Sequence, residues 1–184
     1  MRNALETFAV GNKIVSIYHD DNPESPRSWD NLGTMVCFHS RYSLGDKKHG
    51  YRDPSDFIEE WIKPHVGRKG AVVLPLYLYD HSGITMSTSA FSCPWDSGQV
   101  GWIFVDYDTI RKEYGCKRVT AAVKAKVEEV LRQEVEDYDA YLTGDVYGFI
   151  IATEDDDHAY SGWGICRLGY CRKEARSVAL CLKG

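Results

Sequence analysis

The stretch AVVLPLYLYDHSGITMS, Ala71 to Ser87, carries the pattern on which the fold reading turns. Ala71 to Tyr79 is a nearly continuous apolar run, the composition of a strand. Pro75 interrupts it. A proline cannot donate to a strand ladder, so an edge segment or a bulge is expected there. Asp80-His81-Ser82-Gly83 has turn chemistry. Ile84 to Ser87 alternates apolar with polar residues, as a hairpin strand with one wet face does.

Further strands are predicted on either side of this hairpin. Lys13 to His19, Thr34 to His39 and Gly101 to Val105 are rich in β-formers. Asp145 to Thr153 and Tyr160 to Arg167 read as a terminal hairpin around the loop Glu154 to Asp157. Asp20 to Pro26 and Ser40 to Gly50 are polar connections. Asp53-Pro54-Ser55-Asp56 starts a helix: Asp53 caps, Pro54 suits the first position and Asp56 faces orphan amides. Phe57, Ile58, Trp61 and Ile62 form its apolar face, and Pro64 is expected to end it.

The strongest helix signal runs from Lys117 to Leu142. Val119, Val123, Val127, Val130, Leu131, Val135, Tyr138 and Leu142 recur at helical spacing. Gly144 stands just past its end as a stop. Lys173 to Leu182 reads as a short helix. The sum is an α+β fold: a mixed or antiparallel sheet of about five to six strands against one long helix and one or two short ones. Residues 1–184 read as one domain.

Composition narrows the function classes. Hydrophobic residues make up 43% and charged residues 27%, enough for a packed core. The net charge of −5 argues against a general nucleic-acid binder, which carries a basic face. The first six residues lack the apolar segment of a secretion signal, and no apolar run is long enough to cross a bilayer, so a cytoplasmic location and no membrane contact are expected. The six cysteines, Cys37, Cys93, Cys116, Cys166, Cys171 and Cys181, form no C-x-x-C pair and read as free thiols. No P-loop, G-x-G-x-x-G, H-E-x-x-H or EF-hand pattern is present, and no cofactor is expected.

Four sets of residues are candidates for function. In the first, His81 is a possible general base. Asp80 or Asp96 would orient it, and Cys93 or Ser97 would be the nucleophile. Against this, Asp80 and Ser82, and again Asp96-Ser97-Gly98, are good turn formers, and no G-x-S-x-G pattern occurs. In the second, Cys37 and His39, with His81 and Cys93, are metal-ligand types at a spacing that matches no zinc motif.

The third set is acidic. Glu128, Glu129, Glu134, Glu136, Asp137 and Asp139 crowd the later half of the long helix, and Asp145, Glu154, Asp155, Asp156 and Asp157 add to them. Carboxylates at a helix C-terminus oppose its dipole, so they suit cations or a basic partner. The plainer reading is a solvated face, balanced by Lys117, Arg118, Lys124, Lys126 and Arg132. The fourth set is aromatic. Trp95, Trp102, Tyr141, Tyr147, Tyr160 and Trp163 are interface anchors or core residues, with core preferred for Trp102 and Tyr147.

Four strings carry a resemblance. They are Ser28 to His39 (SWDNLGTMVCFH), Leu76 to Thr85 (LYLYDHSGIT), Cys93 to Gly101 (CPWDSGQVG) and Tyr138 to Phe149 (YDAYLTGDVYGF). In this order they resemble an uncharacterised family found across bacteriophages, plasmids and bacterial genomes. The likeness covers Ser28 to Cys166. The family pattern closes on a Ser-Cys-Trp-Gly-Phe-Tyr-Gly-like string. Here Gly162 stands before Trp163 where the family has cysteine, which weakens the idea that a cysteine at this place is essential.

The resemblance brings no catalytic residue with it. It implies a mobile-element accessory protein, a context in which small acidic proteins antagonise host defence such as CRISPR or restriction systems. The expected partner is a host protein or nucleoprotein complex in the host cytoplasm. It would be met by Glu134, Glu136, Asp137, Asp139, Asp145, Asp155, Asp156 and Asp157, with Trp95 and Trp163 as anchors. The alternatives are a small hydrolase or nuclease using His81, and a structural or regulatory module without catalysis.

Overall fold

The computed structural model describes residues 3–46, 49–66 and 70–182. Met1 and Arg2 of the N-terminal segment, and Lys47 and Lys48 of the second polar connection, lie outside them. The elements in chain order are β1 (Glu6–Val10), β2 (Lys13–His19), β3 (Thr34–Cys37), α1 (Pro54–Phe57), β4 (Ala71–Asp80), β5 (Ile84–Ser87), β6 (Ser97–Asp106), α2 (Tyr107–Glu113), α3 (Ala121–Thr143), β7 (Val146–Ala152), β8 (Tyr160–Cys166) and α4 (Leu168–Cys181). The fold is α+β. Its strands are shared between two antiparallel sheets of four, in the orders β1-β2-β7-β8 and β3-β6-β4-β5, rather than gathered in one sheet. The chain divides into two compact units: Met1–Pro26 with Ala140–Gly184, and Arg27–Asp139.

In the first unit, β2 alternates as a half-buried strand should. Val15 and Ile17 are fully buried while Ile14 faces out. They pack with Tyr147, Phe149 and Ile151 of β7 against Cys171, Ala175 and Ala179 of α4. These three small residues recur every four positions, so one narrow stripe lets the helix backbone approach the sheet. Arg172 of α4 binds Glu6 of β1 through two bonds of 2.6 and 2.9 Å. Gly148 is required sterically, since a Cβ there would come within 2.1 Å of the Trp163 ring. The expected terminal hairpin is β7 and β8, and the tail helix is longer than expected, starting at Leu168.

In the second unit, both expectations for Pro75 are met. β4 pairs with β5 only from Tyr77 to Asp80, so Pro75 has β6 alone as neighbour, and the register shifts between Leu76 and Tyr77. Trp102 and Phe104 point to a cluster with Val36, Phe57 and Trp61. Ile103 lies on the other face, where it meets Leu131 of α3 at Gly33. Along α3, Val127, Leu131, Val135 and Tyr138 are the buried stripe.

Asp53 caps α1 as read, accepting from the Asp56 amide at 2.9 Å. Pro64 does not end this helix. After Phe57 the turns widen to π geometry over Ile58–Ile62, and helical backbone continues through residue 66. The wider turn carries the Lys63 amide to the Ile58 carbonyl, and the His65 ring takes the Trp61 carbonyl at 2.8 Å. The long helix starts four residues later than its pattern suggests. Thr120 holds the first turn by accepting from the Val123 amide.

The polar centre of this unit is Arg27, whose guanidinium binds Asp46 at 2.8 and 3.0 Å, Glu134 at 3.0 Å and the Gly33 carbonyl at 2.6 Å. Glu134 also receives the Leu32 and Gly33 amides. Burial works against the charge on Arg27, but the bonds and charges of Asp46 and Glu134 outweigh it and raise its pKa.

Candidate functional site

The second unit brings the chemically able residues of the opening hairpin together. β4 delivers Asp80 at its end, and the turn that follows places His81. Ser82 there takes the left-handed φ of 58°. The connection to β6 carries Cys93 to Asp96. It is pinned to β4 by the Asp80 amide donating to the Asp96 carbonyl at 2.8 Å. Ser97 Oγ donates to the Cys93 carbonyl at 2.5 Å, closing the loop that exposes Trp95.

Asp96 is the hub. Its Oδ2 lies 3.3 Å from His81 Nδ1 and 3.6 Å from Cys93 Sγ. Asp80 is held from the other side by an ion pair with Arg41 and by Tyr42 Oη at 3.3 Å. His39 stacks on Tyr42 with ring centroids 5.0 Å apart. Its Nδ1 accepts the Arg41 and Tyr42 amides, each at 3.2 Å, so the neutral ring carries its proton on Nε2.

These groups border an open groove of about 490 Å³ whose lining includes Asp80, Trp95, Asp96, Gln99, His39 and Arg41. His81 stands outside the lining, beyond Asp96. A neighbouring depression of about 370 Å³ shares His39 and Arg41 and adds Cys37, Asp46 and His49.

The proposed metal-ligand types do not converge. Among the described residues no three His, Cys, Asp or Glu side chains lie close enough to hold one ion. Burial, with Asp46 adding to it and Arg27 opposing, pushes the Cys37 thiol up to about 12, so it stays protonated at neutral pH.

The acidic candidates separate into different roles. Glu134 belongs to the Arg27 network. Asp139 accepts the Met86 amide on the outer edge of β5 at 2.6 Å. Glu136 is exposed and Asp137 half-buried. Glu128 lies 3.7 Å from both Lys124 and Arg132, the balanced face foreseen for this helix. In the first unit Asp145 is half-buried beside the Tyr147 hydroxyl. Asp155, Asp156 and Asp157 are exposed, with Asp156 accepting the His158 amide at 2.8 Å.

Of the aromatic candidates, Tyr147 is core, and Trp102 is half-buried against the Phe57 cluster. Trp163 is 41% exposed and Trp95 92%.

Arg41 and Tyr42 are the site residues that sequence reasoning missed. They sit in a polar connection with no periodicity, and only the fold carries that connection over Asp80. No protein family, curated protein or solved structure matches the chain.

Proposed function

We propose that the protein acts by binding another protein, as a mobile-element accessory factor that antagonises a host defence complex such as CRISPR or restriction machinery. Trp95 carries this reading. An indole that is 92% exposed leaves most of its apolar area in water. Its loop is held by the bonds of Ser97 and Asp96, so little ordering entropy remains to be lost on binding. Exposed tryptophan and arginine are the residue types that dominate binding energy at interfaces, and Arg41 stands in the same groove. The four family-like strings supply the mobile-element context by analogy. The exposed carboxylates of Asp155 to Asp157 offer a basic partner a second contact, in the manner of nucleic-acid mimicry.

The test is expression in bacteria with an active restriction or CRISPR system, with plating of a targeted phage as readout. The wild-type chain is expected to raise plating, and Trp95→Ala to lose the effect at an unchanged thermal midpoint. If Trp95→Ala keeps the effect while charge reversal over Asp155 to Asp157 removes it, acidic mimicry replaces the tryptophan anchor. If the wild-type chain moves plating in neither system, the antagonist reading fails.

The 3.3 Å approach of His81 to Asp96 favours a second reading, a small hydrolase or nuclease. Asp96 would orient His81 through Nδ1 and leave Nε2 as the base. The Cys93 thiol donates to Asp96 rather than to His81, and Ser97 Oγ is committed to a carbonyl, so neither has the nucleophile-to-base contact of covalent catalysis. Water would be the nucleophile. Turnover of phosphodiester or ester substrates that vanishes in His81→Ala would establish this reading in place of the first.

A further inference from the structure

We infer that the groove beside Trp95 recognises a cationic side chain, an arginine or lysine presented by the partner; this rests on the protein-binding reading above. The groove is bordered by two carboxylates, Asp80 and Asp96. On Asp80 the chain already seats a guanidinium of its own, that of Arg41, so the wall has the shape and charge to hold such a group. Asp96 differs. Both of its donors, His81 Nδ1 at 3.3 Å and Cys93 Sγ at 3.6 Å, reach Oδ2 and are long. Its Oδ1 accepts no hydrogen bond among the described residues. His81 and Cys93 both engage Oδ2, so the Oδ1 edge of Asp96 is left open for a further donor at the groove.

Trp95 precedes Asp96 in the chain, is 92% exposed and lines the same groove. A lysine or arginine can lay its methylene stem and charged head on an indole while the head reaches a carboxylate. An anion suits the groove less. Among the described residues the one cationic side chain in the lining, Arg41, is taken by Asp80, and His39 Nδ1 is occupied by two backbone amides.

The test uses the full chain labelled with ¹⁵N and titrated with N-acetyl-arginine amide. The controls are the citrulline analogue, which keeps the shape without the charge, and N-acetyl-glutamate amide. Saturable shifts are expected at the Trp95 indole and the amides of Asp96 to Gln99 with the arginine compound alone. Trp95→Ala is expected to weaken binding about fivefold, the order of an exposed cation–π contact. Asp96→Asn is expected to weaken it about tenfold, with Asp96→Glu restoring part, since a charged acceptor is lost and regained.

Equal binding of citrulline, preferential binding of the glutamate compound, or unchanged binding in Asp96→Asn would overturn the inference. The two readings fail separately. Antagonism that depends on Trp95 without arginine binding removes the cation site alone. Arginine binding without antagonism removes the defence role alone.

Discussion

Cys37 and Cys171 are buried thiols, and burial pushes them up to about 12 and about 11. Thiolate is the reactive form, so both are expected to stay silent toward a disulfide reagent at neutral pH in the native protein. Exposed Cys181 should react first. A thiol count that includes Cys37 or Cys171 without denaturant would contradict the burial described. Glu134 is the other residue whose role the fold redefines. Its side chain is 11% exposed and that of Arg27 is 5%. Glu134→Ala leaves Arg27 paired with Asp46 but takes the acceptor from the Leu32 and Gly33 amides, so it is expected to cost about 1–3 kcal/mol in denaturant unfolding. Glu129→Ala, on the exposed side of the same helix, should stay within about 0.5 kcal/mol of the parent. Similar losses for the two would mean that the Arg27 network contributes nothing.

At the scale of elements, Asp106 shows what a single cap does. It starts α2 by accepting the Thr109 amide at 2.8 Å and the Thr109 hydroxyl at 3.1 Å. Burial opposes its charge, but these bonds win and hold the carboxyl below its ordinary 3.8. A carboxylate with a depressed folded pKa stabilises above its unfolded value and loses that stabilisation as pH falls through the folded one. Asp106→Ala is therefore expected to cost about 1 kcal/mol near neutral pH. It should also lose less further stability than the parent between about pH 5 and about pH 2. Thermal midpoints across that range check both.

The helix after Asp106 escaped the sequence reading because seven residues are too few to show a period. β1 escaped for a related reason: Glu6 to Val10 has half-exposed positions on one face and no fully buried one. The strands with fully buried positions, read at Lys13 to His19 and Ala71 to Tyr79, were legible. So were the Asp53 cap, the Gly144 stop and the Pro75 irregularity, because each has a local cause. The division into two sheets was not, since it depends on which strands pair across long stretches of chain. The candidate site was half legible. Turn chemistry identified His81, Asp80, Cys93 and Asp96, but nothing local brings Arg41 to Asp80 or turns Glu134 inward.

At the scale of the whole molecule, the first unit is built from both ends of the sequence, and the second unit is the chain between them. β2 finds its central partner only in β7, with Ile14 opposite Ala152. Pairing across so long a loop is slow, because closure entropy comes before any contact offsets it. Refolding followed at Trp163, the tryptophan of the first unit, is expected to lag refolding followed at Trp102 in single-tryptophan variants. Equal rates would mean that the units do not assemble as separate steps. The same topology sets a clock during synthesis. The β1–β2 hairpin leaves the ribosome with Val15 and Ile17 bare, and β7 follows only after more than a hundred further residues. At synthesis rates of about 5–20 residues per second that wait is on the order of ten seconds, long enough for a chaperone or a neighbouring nascent chain to reach the hairpin before its own strand does.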